Sequence, residues 1–208
     1  MTRERPILFN GEMVRAILAG RKTVTRRVAR FNAAGRVQYK GREWHRDDPD
    51  AVAACPFGAP GDTLWVKEAW GMTASIPLSA HEQACRDRFA PREWLGYRAD
   101  TAKGYCWKSP RYMPRWASRI TLEVTGRRLE RVQDISEADA EAEGVERGGG
   151  RYWLGSRPPG EPEGVLKIHG SAVAAFADLW DSINGSREGC SWESNLWVWA
   201  VSFRRVTL

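Results

Sequence analysis

Long apolar runs are missing from this chain. Nothing in it approaches the roughly 18 uninterrupted apolar residues that a membrane-spanning helix needs. Its first residues, MTRERPILFNGEM, lack the apolar stretch of a secretory signal. A soluble, cytoplasmic protein with no membrane partner is expected. Close pairs of metal ligands are missing too. The cysteines (Cys55, Cys85, Cys106, Cys190) and histidines (His45, His81, His169) are widely dispersed, with no CxxC motif. A zinc site normally shows such pairs, so neither a metal nor any other cofactor is expected, and the thiols read as reduced. The absence of a histidine pair also argues against acid–base RNA cleavage of the usual kind. Internal repeats and long linkers are absent, and 208 residues suit a single domain, 1–208.

Positive charge is present in excess, at a formal net +6, and it is unevenly spread. Residues 1–46 carry twelve Lys/Arg against Glu4, Glu12 and Glu43, a local net of +9. Residues 130–146 carry seven acids against Arg131 alone, a local net of −6. One anion-attracting face and one acidic segment follow, which permits phosphate-bearing partners. Tryptophan is abundant, with eleven in the chain. Most should fill the core, and those beside the basic motif are candidates for stacking on a base.

Pro6–Phe9 reads as a short strand. Asn10 then caps a helix whose Met13, Val14, Ile17 and Leu18 share one face, and Gly20 ends it. Residues 21–28 (RKTVTRRV) are rich in β-branched side chains and read as extended, with Thr23, Thr25 and Arg27 on one face and Lys22 in the preceding turn, free to bend back toward Thr25. Thr63–Trp70 reads as one strand, His81–Phe89 as a short helix and Trp94–Ala99 as a further strand. Ile120, Leu122 and Val124 alternate inward on the clearest strand, which continues to Val132. Ser136 caps a short acidic helix ending at Gly144, and Asp139 lies three residues after the cap. Ser171 caps a helix with an apolar stripe of Val173, Phe176, Ala177, Trp180 and Ile183, read as core packing. Trp197–Phe203 forms a terminal strand. Polar, Gly- and Pro-rich stretches at about 29–60, 71–93 and 147–167 read as insertions. The pattern predicts an α+β fold, a partly closed mixed β-barrel flanked by short helices.

At ILAGRKTVTRR (17–27) the chain resembles the ASCH superfamily, whose domains adopt the PUA-like barrel. Three further segments carry the likeness in the same order: GDTLWVKEAW (61–70), SRITLEVTGRRLERV (118–132) running into ISEADAEAEGV (135–145), and LWVWAVSFRRV (196–206). The WKSPRYMPRWASRI segment (107–120) is similar to one in the larger ASCH proteins of phages and prophages. In those relatives a proline commonly follows the asparagine of the last motif, where Leu196 follows Asn195 here. The resemblance implies work on RNA or modified bases. One small bacterial member is an amidohydrolase that removes the acetyl group from N4-acetylcytidine. Its catalytic lysine and threonine map onto Lys22 and Thr25, and its catalytic glutamate maps onto Glu143.

Amide hydrolysis needs a nucleophile, a base and a donor for the leaving amine. On this expectation Lys22 is the base, its pKa lowered by burial and by Arg21, Arg26 and Arg27. Thr25 is the nucleophile or orients water, Glu143 moves the proton, and Arg27 holds the oxyanion. Glu68 is an alternative carboxylate. Trp65, Tyr97 and Trp116 are candidates to sandwich a base, with Arg115 beside them in a basic–aromatic loop suited to tracking a backbone. The expected partner is a modified nucleoside or RNA. The alternatives are a non-catalytic RNA or modified-base reader and, last, a metal-independent ribonuclease.

Overall fold

A computed structural model describes residues 2–32, 34–45, 48–73, 77–101, 105–154 and 167–206. In chain order the strands are β1 (Glu4–Leu8), β2 (Val24–Val28), β3 (Val37–Tyr39), β4 (Arg42–Trp44), β5 (Thr63–Lys67), β6 (Trp70–Thr73), β7 (Leu95–Tyr97), β8 (Tyr105–Lys108), β9 (Thr121–Arg131), β10 (Val145–Gly148), β11 (Arg151–Leu154) and β12 (Trp197–Val206). The helices are α1 (Gly11–Leu18), α2 (Pro49–Ala53), α3 (Leu78–Asp87), α4 (Glu137–Ala142) and α5 (Ala172–Asn184). Among the described residues, no helix is long and apolar enough to cross a membrane.

The caps expected from the sequence form. The side chains of Asn10, Ser136 and Ser171 accept backbone N–H bonds from Met13, Asp139 and Ala174 at 2.9, 3.0 and 3.1 Å. Each satisfies a donor that the first helical turn leaves open.

Five strands form the main sheet in the order β1-β5-β9-β12-β2, with β1 parallel to β5 and every other pair antiparallel. The fold is therefore mixed, with few helices, but the sheet does not close. No ladder joins β1 to β2 among the described residues. Where a barrel would continue its backbone bonding, the carbonyl of Leu8 on β1 accepts from the guanidinium of Arg27 on β2. The two edge strands are thus tied by a side chain.

One hydrophobic cluster includes Ile7, Val14, Leu64, Leu122, Val124 and Phe203. A second gathers Val132, Ala140, Val145, Phe176, Trp180 and Val198, so that α4 and α5 pack together there. A third cluster surrounds β6, which pairs with both β7 and β8, and includes Trp70, Met72 and Met113.

Several expected elements change form. The strand expected over Thr63–Trp70 divides into β5 and β6, with Glu68 and Ala69 in the break. The stretch 29–60 carries the β3–β4 hairpin and α2, and its Val37, Ala51 and Cys55 enter the first core cluster. Within 71–93 lie most of β6 and all of α3; the β10–β11 hairpin starts before 147 and runs into the 147–167 stretch, of which residues 155–166 lie outside the described residues. On α5 the buried face runs through Ala172, Ala175, Phe176, Leu179 and Trp180, while Ile183 is exposed. The apolar stripe is therefore rotated from the one read off the sequence, because small alanines supply part of the contact with α4.

Candidate active site

Three local features bring the RKT segment against α4. Gly20 takes a left-handed φ of 75° at the end of α1. The N–H groups of Arg21 and Lys22 then both donate to Ala16 O, at 2.9 and 3.1 Å, while Thr23 N donates to Ala142 O at 2.8 Å. On the facing side Glu143 is the C-cap of α4 and Gly144 follows with φ 106°. A Cβ at Gly144 would come within 3.0 Å of Ala16 Cβ and 3.6 Å of Lys22 Cβ. Glycine is required there by both conformation and contact.

The result is a buried ion pair between residues 121 positions apart. Lys22 Nζ is bonded to Glu143 Oε2, and it also donates to Val24 O and Glu143 O, each at 2.9 Å. Lys22 and Glu143 are each 2 % exposed. Burial holds the Lys22 ammonium below its ordinary pKa; Glu143 opposes that shift, and Arg27 and Arg26 add to it. Lys22 bends back onto the Val24 carbonyl, next to Thr25, and its three donors are taken by Val24 and Glu143, which leaves none for the Thr25 hydroxyl.

Arg26 extends the network. Its guanidinium reaches Glu130 at 2.6 Å, Asp139 at 2.8 Å and Glu143 Oε1 at 3.4 Å. Arg128 shares the same two outer acids, reaching Glu130 at 3.0 Å and Asp139 at 2.7 Å. Arg26 and Arg128 both lie opposite Ala200 of β12, whose small side chain leaves room for the paired guanidinium groups. The acidic stretch 130–146 is thus in part a counter-charge for the basic N-terminal segment.

Arg27 stands differently. It bonds Leu8 O, its guanidinium lies 5.1 Å from the Phe9 ring centroid, and its buried Nε has no hydrogen-bond partner. Burial pulls its pKa below the ordinary arginine value. An unsatisfied buried donor of this kind is costly unless a ligand supplies the acceptor.

A cavity of about 260 Å³ opens beside these groups. Thr25, Arg26, Arg27 and Glu143 form its polar wall; Met13 of α1 and Phe176, Leu179 and Trp180 of α5 form its apolar wall; Arg30, Asn184 and Arg187 also line it. Lys22 lies behind Glu143 and is not part of the lining. No histidine lines it, and among the described residues no group of three His, Cys, Asp or Glu is arranged to hold a metal.

The remaining residues expected to bind substrate do not line this cavity. Arg21 bonds Gly144 O at 3.3 Å and Glu146 at 3.1 Å. Glu68 is buried against Arg119, with contacts of 2.9 and 3.1 Å, and burial pushes its carboxyl up against the pull of that guanidinium. Tyr97 donates to Ala117 O at 2.9 Å and lies beneath Arg119. Trp65 sits between Lys67 and Arg115, Arg115 pairs with Glu4 at 2.8 Å, and Trp116 meets Trp70 edge-on. The charged groups of Arg21, Glu68 and Arg115 are thus paired within the fold. Sequence reasoning missed Arg30, Asn184, Arg187 and the α5 side chains as lining residues. Phe176 and Trp180 carried a periodic signal, but a cavity wall and a packed core give the same helical period.

No protein-family model matches the chain, and no curated protein or solved structure matches it. The ASCH resemblance therefore rests on the motif residues alone.

Proposed function

We propose that this cavity is the active site of an ASCH-type amidohydrolase on a PUA-like scaffold, which removes the acyl group from N4-acetylcytidine or a related modified nucleoside. The observation that carries this is the buried Lys22–Glu143 pair at a small cavity that Thr25 and Arg27 also line. The cavity volume, near the lower end of the range for small-molecule pockets, suits one nucleoside and not a folded polynucleotide.

In the reaction, the oxygen of a water molecule adds to the acyl carbon and the C–N4 bond breaks. The electron pair stays on N4, which gains a proton, so that the products are cytidine, acetate and one proton released to solvent. Glu143 is the carboxylate in the lining, so it takes the proton from water and passes it to N4. Lys22, its proton affinity lowered by burial, holds the other carboxylate oxygen and sets the charge of the pair. That differs from the direct base expected from the motif. Thr25 orients the water, and Arg27 donates to the oxygen that becomes negative in the transition state.

Incubating purified protein with N4-acetylcytidine should release cytidine, with Glu143→Gln slower by about 100-fold or more. No release by the unaltered protein, or full activity in Glu143→Gln, would overturn the proposal. A non-catalytic base reader is the second reading, favoured by Arg30 and Arg187 at the cavity without carboxylate partners among the described residues. It predicts binding of N4-acetylcytidine with no cytidine released.

A further inference from the structure

We propose that a second cavity seats the nucleotide next to the reacting base, so that the substrate is a modified residue within a single-stranded polynucleotide. This deepens the hydrolase reading and rests on it. The second cavity, of about 580 Å³, shares Val28 and Arg30 with the first. Its other walls include Gln38, Tyr39, Lys40, Phe57 and the buried Trp199. Most of these residues come from the stretch 29–60, so this cavity is the work of the segment that the sequence presents as an insertion.

The chemistry of the lining matches a nucleotide. Two cations, Arg30 and Lys40, line it and no carboxylate does. Some exposed cations are paired with carboxylates: Arg115 with Glu4, Arg128 with Glu130 and Arg204 with Glu123. Arg30 and Arg187 have no ion pair among the described residues, and the contact made by Lys40 is with the Tyr39 ring, 5.5 Å away. Arg187 and Arg30 stand at the first cavity and Arg30 and Lys40 at the second, so uncompensated positive charge follows both. A phosphodiester joining two nucleosides meets Arg30 where the cavities share a wall. The half-buried rings of Tyr39 and Phe57 offer the aromatic surface on which a neighbouring base stacks.

The hairpin geometry supports this placement. Lys40 and Gly41 both adopt left-handed conformations, with φ of 50° and 75°, in the tight turn between β3 and β4. Lysine is a poor choice for that conformation, where asparagine or glycine is usual. Its presence puts an ammonium group on the cavity.

The test compares free N4-acetylcytidine with a single-stranded pentanucleotide carrying the same base at its centre. The unaltered protein should favour the pentanucleotide about tenfold or more in kcat/KM, and Tyr39→Ala/Lys40→Ala should bring the two substrates to within about twofold, the change residing in KM. Equal kcat/KM for both substrates in the unaltered protein, or a preference untouched by the double variant, overturns the inference. A second measurement separates this from failure of the hydrolase reading. If neither substrate is hydrolysed, that reading falls, and fluorescence anisotropy with the labelled pentanucleotide decides the subsite. Binding weakened about tenfold in the double variant upholds the subsite, and equal binding in the two proteins removes it.

Discussion

Breaking a buried ion pair by removing one partner costs about 3–5 kcal/mol when the remaining charge has no other support. Arg26 remains 3.4 Å from Glu143 Oε1, so the carboxylate left behind in Lys22→Met is not wholly uncompensated. The expected cost is about 2–4 kcal/mol in urea unfolding. Glu143→Gln should cost less, since the carbonyl groups of Val24 and Glu143 still accept from the ammonium. The double variant Lys22→Met/Glu143→Gln should be more stable than the summed costs predict, by 1 kcal/mol or more. Strict additivity would show that the two charges are not coupled. At this scale the structure brings the motif residues together, Lys22 against Glu143 and Thr25 beside Glu143 in one cavity wall. The motif could not show that Lys22 stays out of the cavity lining, because its ammonium is held by the carbonyl groups of Val24 and Glu143, which no side-chain pattern reveals.

The edge strand β1 depends on one loop carboxylate. Asp62 accepts from Arg3 N at 2.8 Å, from Ala59 N at 3.0 Å and from the Arg5 guanidinium at 2.8 Å, clamping β1 to the turn that leads into β5. These donors hold its pKa far below the usual carboxylate value. A carboxylate depressed in the folded state adds stability above its unfolded pKa and loses it as pH falls through the folded value. Asp62→Asn should therefore lower stability at neutral pH, and its deficit against the unaltered protein should shrink steadily below about pH 4. A deficit that stayed constant down to pH 2 would mean that Asp62 acts by shape alone. Elements whose cues are local, such as the capped helices and β9, were legible in advance. The division of 63–70 at Glu68 was not. Its apolar alternation runs on to Trp70, and the break is sustained by Arg119, 51 residues away.

For the whole molecule, the question is whether 29–60 is an addition to the domain or part of it. Val37 is completely buried within the first core cluster, and Gly58 O accepts from Arg127 of β9 at 2.8 Å. Val37→Ala should thus behave as a core substitution, costing about 1–3 kcal/mol in urea unfolding. A surface loop would tolerate the same change within about 0.5 kcal/mol. Composition concealed this role, since Gly, Pro and charge are common to mobile loops and to short hairpins with few buried residues. The sequence by itself determined the mixed fold class, the capped helices, the inward face of β9 and the three residues most worth testing, because each depends on spacing along a few neighbouring positions. Only the tertiary structure decided that the sheet stays open, that the acidic stretch neutralises the basic one, and that the cavity is walled by α5 and Arg30 instead of Trp65, Tyr97 and Trp116. Those outcomes depend on contacts between segments far apart in the chain, which form only when the sheet order brings them together.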